Sequence, residues 1–168
     1  MSNQDAKIHK ASKSLQNKVG TGSVSEETME KVNKSFEEKS VDFEPMAQEF
    51  LDQLNDAVEK AKDNHEEDMS VIYGRIASPV MQLKANASMF GYSLIGDLAN
   101  IMLSFLESLS EIDEPIIQII EANQKTWKLI ITKQMKGDGG QYGEALRSEL
   151  RGVCERYLKK KLKEQKAR

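Results

Sequence analysis

The sequence predicts an all-α protein whose long helices form an antiparallel up-and-down bundle. From about residue 23 onward, apolar residues recur at the three- and four-residue spacing of amphipathic helices. No stretch has the alternating pattern of a half-buried strand, and no internal repeat is visible. The connections between consecutive helices are short, which favours antiparallel neighbours.

The N-terminal region predicts a leader followed by a short helix. Residues 1–22 are polar, and we expect them to be disordered in the free protein. Ser23 and Glu26 match a capping box, which predicts a helix through about Lys39. The alternative is that the leader folds into a helix when it binds a partner, because four of its apolar residues recur at helical spacing: Ile8, Ala11, Leu15 and Val19.

Two longer helices are predicted next. Asp42 is the expected N-cap of the first, with Pro45 in its first turn. The acidic run at residues 64–68 predicts a turn into the N-terminus of the second, where carboxylates favour the helix dipole. This second helix is expected to end near Gly91. The predicted inward residues are Phe43, Met46, Phe50, Leu51, Leu54 and Val58 in the first helix, and Met69, Ile72, Ile76, Val80, Leu83 and Ala87 in the second.

Three further helices complete the predicted bundle. One spans about residues 93–110, and the next is capped by Asp113 and ends at Gly137, a predicted left-handed C-cap. The last begins near Tyr142 and runs into a basic tail at 159–168. Their expected inward residues are Leu94, Leu98, Ile101, Met102, Phe105, Leu106 and Leu109, then Ile116, Ile119, Ile120, Asn123, Trp127, Ile130, Ile131 and Met135, then Leu146, Leu150, Val153, Tyr157 and Leu158.

Composition limits the possible functions of this 168-residue chain. Its net charge of -3 is too small to indicate nucleic acid, and cations in the tail are expected at a helix C-terminus, so contact with nucleic acid or membrane is not predicted. The single cysteine, Cys154, has apolar helical neighbours and is expected to be a buried thiol. No apolar run approaches the roughly 20 residues of a membrane span. We therefore expect a cytoplasmic protein.

The sequence predicts no metal, cofactor or catalytic site. The only histidines are His9 and His65, and the carboxylates scatter without the paired motifs of di-iron bundles, so zinc or iron binding is not expected. Residues 136–143 are rich in glycine, but a helix precedes them and no lysine follows. A phosphate loop needs a strand before it and a lysine after it. We predict a helix cap and a turn there.

Met81 marks a candidate docking surface. On a helical wheel it falls well away from the core face of its helix and lies beside small residues. Small neighbours allow close backbone approach, and a methionine supplies a flexible apolar contact. The alternative interpretation is that Met81 is an isolated apolar residue on the surface, which is common in proteins. The predicted partner-binding residues are Ala77, Met81, Lys84, Ala85 and Ser88, with Gln82 at the edge.

The same stretch resembles the signature of histidine phosphotransfer (HPt) domains, which runs roughly His-x-Leu-Lys-Gly-x-x-x-x-Phe-Gly. Four residues match in register: Leu83, Lys84, Phe90 and Gly91. Ala85 stands where glycine is usual, and Met81 takes the place of the phosphorylated histidine. A thioether has no basic nitrogen to accept a phosphoryl group. The chain therefore looks like a phosphotransfer fold without its chemistry.

HPt domains are four-helix modules that relay phosphoryl groups between receiver domains in two-component signalling. The resemblance implies a four-helix bundle over about 42–160, within a single domain at 23–165, with an extra N-terminal helix and flexible ends. It also implies a receiver domain or a histidine kinase as partner. In HPt domains the lysine at the position of Lys84 lies beside the phosphohistidine. Here Lys84 is either a polar anchor for a receiver's acidic pocket or an ordinary helix lysine.

Two other functions stay open at this point. One is a structural bundle that forms a homo-oligomer through its exposed face or its leading helix. The other is an active phosphotransferase that uses His65 or another residue. The expected function is a non-catalytic module that binds its signalling partner without transferring phosphoryl groups.

Overall fold

The computed structural model describes residue 13 and residues 25–31, 42–63 and 67–166, and every regular element in these ranges is helical. The chain divides into two compact units, Met1–Val41 and Asp42–Arg168. In the first unit, residues 26–31 are helical, and the Oγ of Ser25 accepts a hydrogen bond from the Thr28 amide at 3.2 Å. The cap is therefore Ser25, two residues after the predicted one.

Several predictions concern residues outside the described ranges. They are the disordered leader at 1–22 (apart from Lys13), the capping residue Ser23, the continuation of the first helix to Lys39, and both histidines, His9 and His65.

The described part of the second unit contains five long helices. Helix α1 contacts α2 and α4, α2 contacts α3, and α5 packs on α3 and α4. Five helices thus share one core, which is the number that the helical pattern predicts from residue 42 onward and one more than the HPt resemblance implies. A single turn of 3-10 helix, Ser88–Phe90, extends α2. The helices are α1 Phe43–Asp63, α2 Met69–Ala87, α3 Ser93–Glu107, α4 Glu114–Thr132 and α5 Gly140–Lys166.

Aspartate caps start three of these helices; two of them are the predicted caps, and the third lies in the acidic run where the sequence predicts only a turn. In each case a carboxylate oxygen accepts a hydrogen bond of 2.7 to 3.2 Å from a backbone amide in the first turn. Such a bond satisfies one of the amides that a helix N-terminus leaves without a partner. The capping residues are Asp42, Asp68 and Asp113.

The predicted C-cap of α4 is wrong. The helix ends before Gly137, and Gln134 takes the left-handed conformation with φ of 49°. The Met135 amide donates to the Ile130 carbonyl, and the Gln134 amide donates to the Ile131 carbonyl, both at 2.9 Å. These two bonds form a Schellman motif, which closes a helix by satisfying its last carbonyls.

Gly137 joins two loops instead. Its amide donates to the Gly91 carbonyl at 2.6 Å, and its carbonyl accepts from the Leu94 amide in the first turn of α3 at 3.0 Å. The Oδ1 of Asp138 accepts from the Gly140 amide at 2.9 Å, where α5 begins. These amides are thus occupied within the fold, and the glycine-rich segment serves as turn and helix cap.

Helix α5 is less deeply packed than the sequence predicts. Its buried residues are Gly143, Cys154 and Tyr157. The other predicted inward residues of α5 are only half-buried: Leu146, Leu150, Val153 and Leu158. In the part of the chain that the structure describes, no helix is both long and apolar enough to cross a membrane.

Candidate functional site

Met81 lies on the outside of α2, as its wheel position predicts. Its side chain is 57% exposed, whereas the predicted core face of the same helix is turned inward. Lys84, Ala85 and Ser88 are also exposed, and Gln82 is half-buried at the edge. The inward residues are Ile72, Ile76, Val80, Leu83 and Ala87, which are buried, and Met69, which is half-buried.

Ala77 is not part of this surface. It was predicted as a partner contact, but only 2% of it is exposed. Helix α2 packs against both α1 and α3, so its buried arc is wider than one apolar stripe and includes Ala77 and Pro79. A partner on the outside of the bundle therefore cannot contact Ala77.

Met81 borders a hollow between α2 and α3, which we call the Met81 hollow. Its volume is about 470 Å³, and both helices supply its walls. An exposed methionine beside a concave surface offers a partner an apolar contact and a recess for its own side chain. The lining residues are Tyr73, Met81, Lys84 and Ala85 of α2, with Asn100, Leu103, Ser104 and Glu107 of α3.

The sequence pattern did not predict the α3 wall of the Met81 hollow. Positions 100, 103, 104 and 107 follow the three- and four-residue spacing that places side chains on one helical face. Only Leu103 among them is apolar, and the prediction selected helix faces by apolar periodicity alone. The pattern that could have predicted this wall is the stripe of mostly polar residues at these four positions, which lies beside the apolar stripe of the same helix.

Lys84 bridges the two walls of the hollow. Its Nζ donates a hydrogen bond of 2.7 Å to the Oδ1 of Asn100 on α3. Within the described ranges, Lys84 forms no salt bridge with a carboxylate. The amide oxygen of Asn100 thus orients the ammonium group and leaves its charge uncompensated by a direct ion pair.

A close approach of α2 and α3 supports this bridge. A Cβ atom at Gly96 would lie 3.3 Å from the Oγ of Ser88 and 3.8 Å from the Lys84 carbonyl. A contact of 3.3 Å is tighter than ordinary van der Waals packing, so a Cβ at residue 96 would require the Ser88 side chain to shift by a few tenths of an ångström. Gly96 therefore lets α3 lie close to α2 at the end of the Met81 hollow where Lys84 lies.

Charge on the hollow is mixed. Lys84 supplies a cation on α2 and Glu107 a carboxylate on α3.

Away from the hollow, near the start of α2, Arg75 forms a two-pronged hydrogen bond with Glu67 at 2.8 and 2.6 Å. The hydrogen bond from Arg75 lowers the pKa of Glu67. Across the described residues, no group of three or more His, Cys, Asp or Glu is placed to hold a metal ion.

Comparison of the chain with protein-family models, with curated proteins and with solved structures finds no match. The functional interpretation therefore depends on the side chains of the Met81 hollow and on the register of the short signature.

Proposed function

We propose that this protein is a non-catalytic, HPt-like module that binds a receiver domain or a histidine kinase through the Met81 hollow. It occupies the docking surface of that partner and relays no phosphoryl group. The proposed bundle follows the antiparallel up-and-down arrangement of HPt domains, with one helix added. The observation that carries the proposal is Met81 itself, exposed at the position that the signature reserves for histidine.

Met81 is the proposed apolar anchor. A methionine that becomes fully buried in an interface removes apolar surface from water, and its unbranched side chain adapts to the partner. Ala85 lies one turn further along α2 and lines the same hollow, so its methyl group lets the partner backbone come near. Glycine is usual at this position in HPt domains, and Ala85 keeps the partner slightly further away.

Lys84 is the proposed polar anchor. Its ammonium group is already oriented by Asn100, so little side-chain entropy is lost on binding. An acidic pocket on the partner would complement it, and such complementarity mainly raises the association rate and fixes the register.

The test compares two glutamate substitutions of matched exposure. Met81 is 57% exposed on α2, and Leu129 is 56% exposed on α4, outside the hollow. We expect Met81→Glu to weaken binding to a receiver domain by at least about tenfold, because a carboxylate replaces the central apolar contact. Leu129→Glu should leave the affinity unchanged. The measurement is calorimetric titration against a panel of purified receiver domains from the same organism.

Equal affinities of the two variants would show that the Met81 hollow is not the binding surface. Failure of every receiver domain to bind wild type, together with a mass in light scattering that rises with concentration and is reduced by Met81→Glu, would favour self-association through the same surface. These two outcomes separate the signalling proposal from the structural alternative.

A second arm of the experiment restores the missing chemistry. Met81→His places an imidazole beside Lys84, and its nitrogen can accept a phosphoryl group from a phosphorylated receiver. We expect acid-labile label to pass to this variant and none to pass to wild type or to Leu129→His. If Met81→His binds a phosphorylated receiver but takes up no label, the Met81 hollow is a docking surface that lacks the HPt geometry for transfer.

A further inference from the structure

A second concave surface lies between α4 and α5, and we call it the Asn123 groove. Its volume is about 140 Å³, and it shares no lining residue with the Met81 hollow. The apolar side chains that α5 contributes to it are half-buried. The lining residues are Leu98 of α3, Ile119, Ala122, Asn123 and Thr126 of α4, and Leu146, Glu149, Leu150 and Val153 of α5.

Asn123 is a buried donor without an acceptor. Only 5% of the residue is exposed, and its Nδ2 has no hydrogen-bond partner in the part of the chain that the structure describes. A buried amide left in this state loses its hydrogen bonds to water and gains none in return, which destabilises the fold. The next residue, Gln124, has its amide nitrogen paired with the Leu51 carbonyl at 2.8 Å. The neighbouring side-chain amide on α4 therefore has the partner that Asn123 lacks.

One other buried donor on α4 lacks an acceptor. The indole nitrogen of Trp127 lies one turn after Asn123 and also has no partner among the described residues. Trp127 does not line the groove, whereas Asn123 does. Less than 1 Å² of the Nδ2 atom is accessible, so the Asn123 side-chain amide must rotate to turn this donor toward the groove before a ligand there can satisfy it. Such a ligand would leave Trp127 as it is.

We propose that the Asn123 groove binds a neutral small molecule with a body the size of one six-membered ring and a carbonyl oxygen that accepts from Asn123. Size follows from volume, because an engineered cavity of about 150 Å³ holds benzene. The apolar body matches the leucine, isoleucine and valine side chains. The ligand is neutral because Glu149, the sole charged residue among those that line the groove, already pairs with Arg156 at 2.9 Å and leaves no unpaired charge for an ionic ligand.

The test uses a pair of probes of the same shape, cyclohexanone and methylenecyclohexane, titrated into the full chain and followed by amide NMR. Cyclohexanone should shift the side-chain amide signals of Asn123 and the backbone signals of the lining residues in a saturable way. It should bind roughly two- to tenfold more tightly than the alkene, since one hydrogen bond separates them.

Two variants make the result specific. Asn123→Leu keeps the size of the residue and removes the donor, so the preference for the ketone should disappear. Ala122→Phe fills the groove from an exposed position, and binding of both probes should be lost. If Asn123→Leu does not fold, Ala122→Phe and the two wild-type titrations still decide the question.

Three results would overturn the proposal. They are equal affinities of wild type for the two probes, shifts that fall outside the lining residues, and no saturable shift up to the solubility limit of cyclohexanone. The last would mean that water alone satisfies Asn123. None of these results depends on receiver binding, so the groove and the Met81 hollow are tested separately.

Discussion

At the scale of single residues, Cys154 is a structural thiol. It is 6% exposed on α5, and burial raises the pKa of its thiol to about 11. A reactive cysteine needs a lowered pKa and access to solvent, and Cys154 has neither. The sequence predicts this burial correctly, because apolar residues surround Cys154 on its helix.

The raised pKa of Cys154 predicts a loss of stability in alkali. An unfolded thiol has a pKa of about 8.5, so above that pH the unfolded chain releases a proton that the folded chain keeps. The free energy of unfolding should therefore fall as pH rises from about 9 to about 11, by on the order of 2 kcal/mol. Urea unfolding between pH 8 and pH 10.5, for wild type and Cys154→Ala, measures it.

The alanine variant isolates the thiol. Burial, followed by the hydrogen bond to Asp113, raises the pKa of Tyr157 to about 12, which also favours unfolding at high pH. Tyr157 acts equally in both proteins, so only wild type carries the additional Cys154 contribution. Parallel pH profiles of the two proteins would contradict the prediction.

At the scale of helices, two aspartate N-caps and the end near Gly91 were predictable from the sequence, and the C-cap of α4 was not. Asp42 and Asp113 cap their helices as predicted, because a short carboxylate reaches the first-turn amides wherever it precedes an apolar periodic stretch. The end of α4 escaped prediction because Gln134 adopts a conformation that favours glycine. The Schellman bonds and the half-buried Met135 hold it there.

Gln134→Gly should therefore stabilise the protein. A non-glycine residue at φ of 49° carries a steric cost of roughly 1–2 kcal/mol, part of which glycine returns through its greater freedom in the unfolded chain. We expect a net gain of about 0.5–1 kcal/mol in the free energy of unfolding. Urea unfolding of the variant beside wild type provides the measurement.

The neighbouring residue supplies the control. Lys133 has φ of -87°, where glycine brings no steric relief, so Lys133→Gly should lower stability by up to about 1 kcal/mol. A lower stability of Gln134→Gly than of wild type would mean that the glutamine side chain stabilises the turn through contacts of its own.

At the scale of the whole molecule, the sequence predicted the all-helical class and most of the core but not how deeply each helix is buried. Periodicity assigns the inward face of an isolated helix. Ala77 is buried because α2 has neighbours on two sides, and α5 is packed shallowly although it contacts both α3 and α4. Both are properties of the assembled helices. The sequence therefore predicted Met81, Lys84 and Ala85 on the α2 wall of the Met81 hollow but not its α3 wall, and it did not predict the Asn123 groove.

Helix α5 is the part of the bundle that a four-helix interpretation would leave out. Despite its shallow packing, it makes specific contacts near its C-terminal end. The rings of Tyr157 and Phe105 meet edge to face with centroids 5.7 Å apart, and the Tyr157 hydroxyl donates to Asp113 at 3.0 Å. Lys161 lies 2.8 Å from the same carboxylate. Burial opposes ionisation of Asp113, but these bonds and the Ile116 amide outweigh it and lower its pKa.

These contacts predict that the bundle needs all five helices. We expect the fragment Asp42–Arg168 to unfold in urea in one cooperative transition, because every core residue identified in the structure belongs to this unit. A fragment of residues 42–139 lacks α5, exposes Phe105 and leaves the Asp113 carboxylate without Tyr157 and Lys161. It should retain helical circular dichroism but lose the cooperative transition. A cooperative transition of equal midpoint in both fragments would mean that α1–α4 form a complete four-helix bundle on which α5 is an appendage.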